Sequence, residues 1–265
     1  MVINNVNQIE EILDKYLRDY LDGKCTHVNV MFVGHEGYGR SSVINRWIKK
    51  HETELNPLFN LYPGVLRTME NGILVDYFKD GKRQYVIPDD ELELLQRENS
   101  VLFLQRINWG RDNQGDEILY DMIKNRRVTT AFGKEYDLGN LCMVIATAFP
   151  DDGLNKTFPL LDDMINYFDI YEVQPVFQDT AEFYYNQYKD IYLELPSGKG
   201  SYILDALDKI RKWPKIIKHT PFFPPNVLIR TLEWAHDEES FIKEIEGQVR
   251  EDKETVSQIK EIFEK

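Results

Sequence analysis

One feature constrains this chain more than any other: a short apolar strand that runs into a glycine-spaced turn and then into a helix. Val28, Val30, Met31, Phe32 and Val33 form the strand. Gly34-His35-Glu36-Gly37-Tyr38-Gly39-Arg40-Ser41 follows, and Val43, Ile44, Trp47 and Ile48 mark the inner face of a helix over 41–51. Gly34, Gly39, Arg40 and Ser41 fit the spacing G-x-x-x-x-G-K-[ST], with arginine in place of the lysine. Glycines let backbone N–H groups turn inward around an anion, and the helix start adds the positive end of its dipole. The segment predicts a phosphate-binding loop with Gly34, Gly37, Gly39, Arg40, Ser41 and Ser42 as its contacts, and Ser41 as the Mg²⁺ ligand. Glycine turns between strand and helix are also common without any ligand, so the loop needs support from the rest of the chain.

That support starts with the order of elements. Val6, Ile9, Ile12, Leu13, Tyr16, Leu17 and Leu21 recur at helical spacing before the first strand. Residues 73–78 and 84–87 read as a hairpin around Lys79-Asp80-Gly81-Lys82, and Asp89-Asp90 opens a helix through Gln96. Continuous apolar runs at 101–104 and 141–147 suit the middle of a parallel sheet. Between them a helix is expected over 116–125, then a strand ending near Val128 and a turn at Gly133. Residues 169–173, closed by Pro175, complete the strands. Beyond Pro175 only helical stripes remain, at 179–193, 200–213, 225–236 and 238–263. The expected architecture is an α/β core with a parallel sheet over residues 1–176, followed by a smaller α-helical lid and C-terminal helix over 177–265.

Composition narrows the functional classes. The 265-residue chain carries a net charge of −13, which disfavours non-specific nucleic-acid binding, and solubility is the ordinary reason for such a surface. A local basic patch is conceivable around Lys124, Arg126 and Arg127. No apolar run approaches the ~20 residues of a spanning helix, and the acidic N-terminus lacks the basic start of a secretion signal. Cys25 and Cys142 have no metal-ligand spacing, which predicts reduced thiols and a cytoplasmic protein. The five histidines show no metal spacing either. Asp151-Asp152 and Asp162-Asp163 fall where helix capping is the expected use. Ser197-Gly198-Lys199-Gly200 lacks a preceding buried strand and reads as a turn.

The motif order resembles the AAA+ ATPases, in particular their MoxR-like, dynein-related group, over most of residues 25–236. That group's second motif reads approximately F-L-D-E-I-N, and here Phe103-Leu104-Gln105-Arg106-Ile107-Asn108 stands in its place. A helix ending in an R-V segment follows, matched by residues 117–128 up to Arg127-Val128. The group's V-I-A-T-x-N-P strand is similar to Val144-Ile145-Ala146-Thr147-Ala148-Phe149-Pro150. Its leucine-led helix ending D-R-F resembles Leu160 to Phe168, and its S-P-R lid segment resembles Pro224-Pro225-Asn226. The resemblance implies a P-loop NTPase core with a helical lid, ATP or ADP as ligand, and assembly with other subunits as a homo- or hetero-oligomer.

The departures fall on the chemistry. The resemblance puts Arg40 at the phosphate-contacting lysine, Gln105 at the Mg²⁺-holding aspartate and Arg106 at the water-polarising glutamate. It puts Phe149 at the sensor asparagine, Tyr167 at the arginine offered to a neighbouring subunit, and Asn226 at the lid arginine. Arginine has no accessible neutral form and is no general base near pH 7. A guanidinium about 6 Å from Mg²⁺ would repel it by roughly 5 kcal/mol at an effective dielectric of 20. Weak or absent hydrolysis is therefore expected, with no confident catalytic residue. Two uses of Arg40 and Arg106 stay open: receiving a phosphate without a metal, or pairing with acids such as Glu36 or Asp112. Three functions stay open with them: a hydrolysis-deficient regulatory or structural subunit, a nucleotide-independent interaction module, and an atypical ATPase completed by a partner.

Overall fold

The computed structural model describes residues 1–79, 81–109, 114–154, 157–160, 162–194, 198–221, 223–249 and 252–264. The chain divides into two compact units. Met1, Asn7–Gly34 and Arg40–Glu172 form the first; Val2–Val6, His35–Gly39 and Val173–Lys265 form the second.

A two-residue strand, β1 (Val2–Ile3), comes first in the chain. In the first unit α1 (Gln8–Leu21) buries Ile9, Leu13 and Leu17, and β2 (Val28–Val33) leads through the glycine turn to α2 (Arg40–Lys50). Then come β3 (Asn56–Met69), β4 (Gly72–Lys79), β5 (Lys82–Pro88) and the short α3 (Asp89–Leu92). A 3₁₀ turn over Glu93–Gln96 precedes β6 (Ser100–Leu104). α4 (Gln114–Tyr120) passes into a π-helical turn at Asp121–Asn125, followed by β7 (Arg127–Thr129) and β8 (Glu135–Asp137). The unit finishes with β9 (Leu141–Ala148), α5 (Asp162–Ile165) and β10 (Asp169–Val173).

Seven of these strands lie in the order β10-β2-β9-β6-β3-β4-β5. The pairs from β10 to β3 are parallel, while β3–β4 and β4–β5 are antiparallel. Every residue of β6 and β9 is buried, which is why both read as unbroken apolar runs. Registers Val33↔Ala148 and Leu104↔Ala146 bring the carboxyl ends of β2, β9 and β6 to one rim of the sheet. β2 lies between β10 and β9, with β6, β3, β4 and β5 all on the β9 side, while β7 and β8 form a separate two-stranded sheet. Ligands of open α/β sheets bind outside the carboxyl ends of strands at such a switch point.

The structure adds detail at three places. The strand signal between Pro57 and the hairpin is mixed in the sequence, yet one long strand, β3, spans it. The helix expected at 116–125 changes to π-helical winding at Asp121 and stops at Arg126 in the left-handed region (φ 51°). Arg126 is then buried, with Nη2 donating to Asn29 Oδ1 at 2.6 Å. It is not part of a basic surface patch with Lys124 and Arg127. Burial also lowers its pKa to about 10.

The second unit packs α6 (Phe177–Leu193), α7 (Lys199–Arg211), α8 (Pro225–Trp234), α9 (Glu238–Gln248) and α10 (Lys253–Phe263) around Phe177, Ile203, Leu207, Leu228, Phe241, Ile245 and Ile259. The stripe over 238–263 is two helices, because Asp252 caps a new one by accepting from Thr255 N–H at 2.9 Å. Inside this core His219 stacks on Phe177 with ring centroids 4.0 Å apart, and its Nδ1 donates to Phe223 O at 3.0 Å. Burial pushes its pKa down to about 3. The unfolded chain takes up this proton near the ordinary histidine pKa of ~6.5, whereas the fold does not. His219 is therefore neutral at no cost above that pH, and stability falls as pH drops from ~6.5 towards 3 by about 1.4 kcal/mol per unit. Between pH 7 and pH 5 the wild type should lose about 2 kcal/mol more than His219→Gln in chemical denaturation. Parallel pH profiles would contradict this.

Candidate functional site

The glycine turn begins where β2 ends, with Gly34 N–H donating to Ala148 O at 3.1 Å. His35–Gly39 then belongs to the second unit before the chain re-enters the first at Arg40. Gly37 has φ 81°, and a Cβ there would meet Asn226 Oδ1 at 2.6 Å and Pro224 Cβ at 2.7 Å. Glycine is required on both counts. Tyr38 Oη donates to His219 O at 3.2 Å within the same unit. Gly39 also has a positive φ, while Ser41 and Ser42 lie in the first turn of α2, half-buried and exposed respectively.

Within the first unit three of the positions singled out in the sequence converge. Arg40, 7% exposed, donates from Nη1 to Phe32 O at 2.9 Å and also to Ala148 O. Its guanidinium is bonded to the main-chain carbonyls where β2 and β9 end, and lies 5.7 Å from the centre of the Phe149 ring. Arg106 lies 5.7 Å from that same ring and 5.8 Å from the ring of Trp109. Cation–π contacts of this kind contribute about 0.5–2 kcal/mol each. Phe149 itself is clasped: Asn108 Nδ2 donates to its carbonyl at 2.8 Å, and its N–H donates to Asn108 Oδ1 at 2.9 Å.

Arg106 holds a left-handed backbone (φ 54°), with its N–H donating to Thr147 Oγ1 at 3.0 Å. A non-glycine residue in this region is uncommon, and the turn it makes carries the chain from β6 to Asn108. Gln105 is buried and its side-chain nitrogen donates to Asn60 Oδ1, whose own amide donates to Asn45 at 3.3 Å. Neutral amides thus link β6, β3 and α2. Burial raises the Tyr62 phenol pKa, and the nearby Arg106 charge and a Gln105 hydrogen bond partly offset it.

Tyr167 and Asn226 have their own neighbours, each within its own unit. Tyr167 packs edge-on against Tyr120 at 6.0 Å with Lys124 Nζ 5.6 Å from its ring. Asn226 faces Gly37 in the second unit. Asp112 lies outside the described residues, as do Asp80, Pro196 and Ser197. The paired acids do local work: Asp152 accepts from Leu154 N–H at 3.1 Å, and Asp162 and Asp163 begin α5. Burial pushes the Cys142 thiol up to about 12, which makes it a poor nucleophile. Sequence reasoning missed Asn60, Tyr62 and Trp109; only Trp109, one residue past the motif, left a usable signal.

The donor set does not fit Mg²⁺. Hard divalent cations take oxygen ligands, usually with carboxylates among them. Gln105 donates from Nε2 to Asn60 and offers a neutral amide oxygen rather than a carboxylate, and the next residue is a cation. Among the described residues no group of three or more His, Cys, Asp or Glu side chains is arranged to hold a metal.

Comparison of the sequence with protein-family models and with curated proteins gives no match. Solved structures do match. An alanine-to-serine variant of RuvB from Thermotoga maritima aligns with a TM-score of 0.50 at 12% identity, covering 97% of this chain and 68% of that one. A lysine-to-arginine variant of the same protein gives 0.50 at 15% identity, covering 96% and 68%. NtrX from Brucella abortus, solved with ADP, gives 0.45 at 13%, covering 95% and 54%. At these identities likeness speaks for the fold alone. Together with the mostly parallel sheet and its flanking helices, it shows that this chain has the α/β fold of the AAA+ P-loop NTPases.

Proposed function

We propose that the chain is a hydrolysis-deficient subunit built on this fold, a MoxR-like pseudo-ATPase that works as a regulatory or structural partner of other protein subunits. In this reading residues 1–176 serve as the nucleotide-binding-type core and 177–265 as lid and C-terminal helix. The observation that carries it is the cluster of Arg40, Phe149 and Arg106 at the sheet rim, where a phosphate-contacting lysine, a sensor and a general base would be needed for hydrolysis. Phosphoryl transfer depends on a placed and activated water, and none of these three side chains can take a proton from it near pH 7. A cytoplasmic setting and a homo- or hetero-oligomeric state belong to the same proposal. No helix of the described residues is long and apolar enough to cross a membrane.

ATP or ADP, in this reading, is held at Gly34, Gly37, Gly39, Arg40, Ser41 and Ser42 without help from Mg²⁺, because Ser41 has no carboxylate partner at Gln105. Calorimetric titration with ATP should give the same affinity in Mg²⁺ and in EDTA. Affinity that collapses on chelation would contradict the metal-free site. A second reading, a nucleotide-independent interaction module, is favoured by one observation: Arg40 Nη1 is engaged by two backbone carbonyls. No heat of binding under either condition would select it.

A further inference from the structure

We propose that the outer edge of β5 is a docking strand for an extended partner segment, acidic where it meets Lys82 and Arg83 and apolar where it meets Tyr85 and Val86. Among the described residues β5 is the last strand of the sheet and pairs with β4 on one side only. Its first five residues, Lys82 to Val86, are all exposed, with Tyr85 at 58% and Val86 at 39%. A bare strand edge offers unpaired main-chain N–H and C=O groups that an extended peptide can complete.

The charges identify the occupant. β5 carries two cations and no acid in a chain whose net charge is −13. Lys79 and Lys82 are directly opposed across the β4–β5 ladder, and since Glu91 engages Lys79, the cation left for a guest carboxylate is Lys82. Arg83 binds Asp76 at 2.8 Å and lies 5.4 Å from the Tyr85 ring, which fixes its direction. The acids that follow β5 are engaged: Asp89 and Glu93 by Lys134 at 3.7 and 3.8 Å, and Glu91 by Lys79 at 3.0 Å. Cationic edge residues guard a strand against indiscriminate pairing. A second copy of β5 brings the same cations and no carboxylate, so it leaves that end uncompensated. An acidic strand is admitted by the residues that reject the others.

The test uses the full chain and two blocked heptapeptides, Glu-Thr-Glu-Val-Thr-Val-Thr and its counterpart with lysine at both glutamate positions. Amide exchange should slow at Lys82–Ile87 with the glutamate peptide, and that peptide should bind about tenfold more tightly than the lysine one. Lys82→Glu, which leaves the Arg83–Asp76 pair in place, should erase or reverse the preference with the fold intact by circular dichroism. Equal binding of both peptides, protection outside β5, or binding of neither would overturn the proposal. So would a wild-type dimer in sedimentation that Lys82→Glu dissociates, since the occupant would then be a second copy.

Discussion

Gly200→Ala should unfold the helical unit or cost it about 3 kcal/mol or more, as expected when a packed interface is forced apart. Gly200 lies in the first turn of α7, and a Cβ there would sit 1.5 Å from Tyr192 O and 2.5 Å from Tyr192 C. The first separation is that of a covalent bond. The obstacle is backbone at the end of α6, so no rotamer change relieves it. α6 and α7 must part, opening the core around Ile203, Ala206 and Leu207, all essentially inaccessible to solvent. Gly247→Ala is the matched control, because nothing lies within 4 Å of a Cβ at that site in α9. The same chemical change there should stabilise by roughly 0.5–1 kcal/mol through helix propensity. Guanidinium unfolding followed by fluorescence reads both. Similar midpoints for Gly200→Ala and wild type would refute the close packing of α6 on α7.

That glycine illustrates what was legible in the sequence. The turn around Gly198 was readable, and the structure gives Gly198 φ 71°. The need for Gly200 was not, because it arises from a neighbouring helix rather than from local conformation. Strands β2, β6, β9 and β10 were legible because buried parallel strands are written as short apolar runs. β3 was not, since Pro57, Pro63 and Gly64 read as breakers, and the ladder with β4 shifts register between Tyr62 and Arg67, where Pro63 and Gly64 fall. β1 and β8, of two and three residues, are too short for periodicity to register.

At the candidate site, the apolar strands placed Arg40, Gln105, Arg106 and Phe149 near one rim, and the structure puts the two arginines against Phe149. What the arginines touch was not legible. A planar guanidinium satisfies several acceptors in more than one direction, and burial decided that Arg40 donates to Phe32 and Ala148. Arg126 shows the same limit. A run of Lys124, Asn125, Arg126 and Arg127 looks solvated, yet a left-handed backbone turns Arg126 inward to Asn29.

The central claim is that the fold persists while the groups that split ATP have been replaced. Losing a general base removes ~10²–10⁴ in rate, and losing an arginine finger ~10³–10⁵. In the proposed reading both positions are replaced, by Arg106 and Tyr167. Turnover should therefore fall at least about 10⁴-fold below that of an intact P-loop ATPase. Oligomer formation at high protein concentration should not rescue it, because a second copy brings the same substitutions. The decisive measurement is phosphate release from ATP and Mg²⁺ by the purified chain at high concentration, beside Arg40→Ala prepared identically. The expected result is a rate at the buffer background for both proteins. Brisk release by the wild type that Arg40→Ala abolishes would contradict the account.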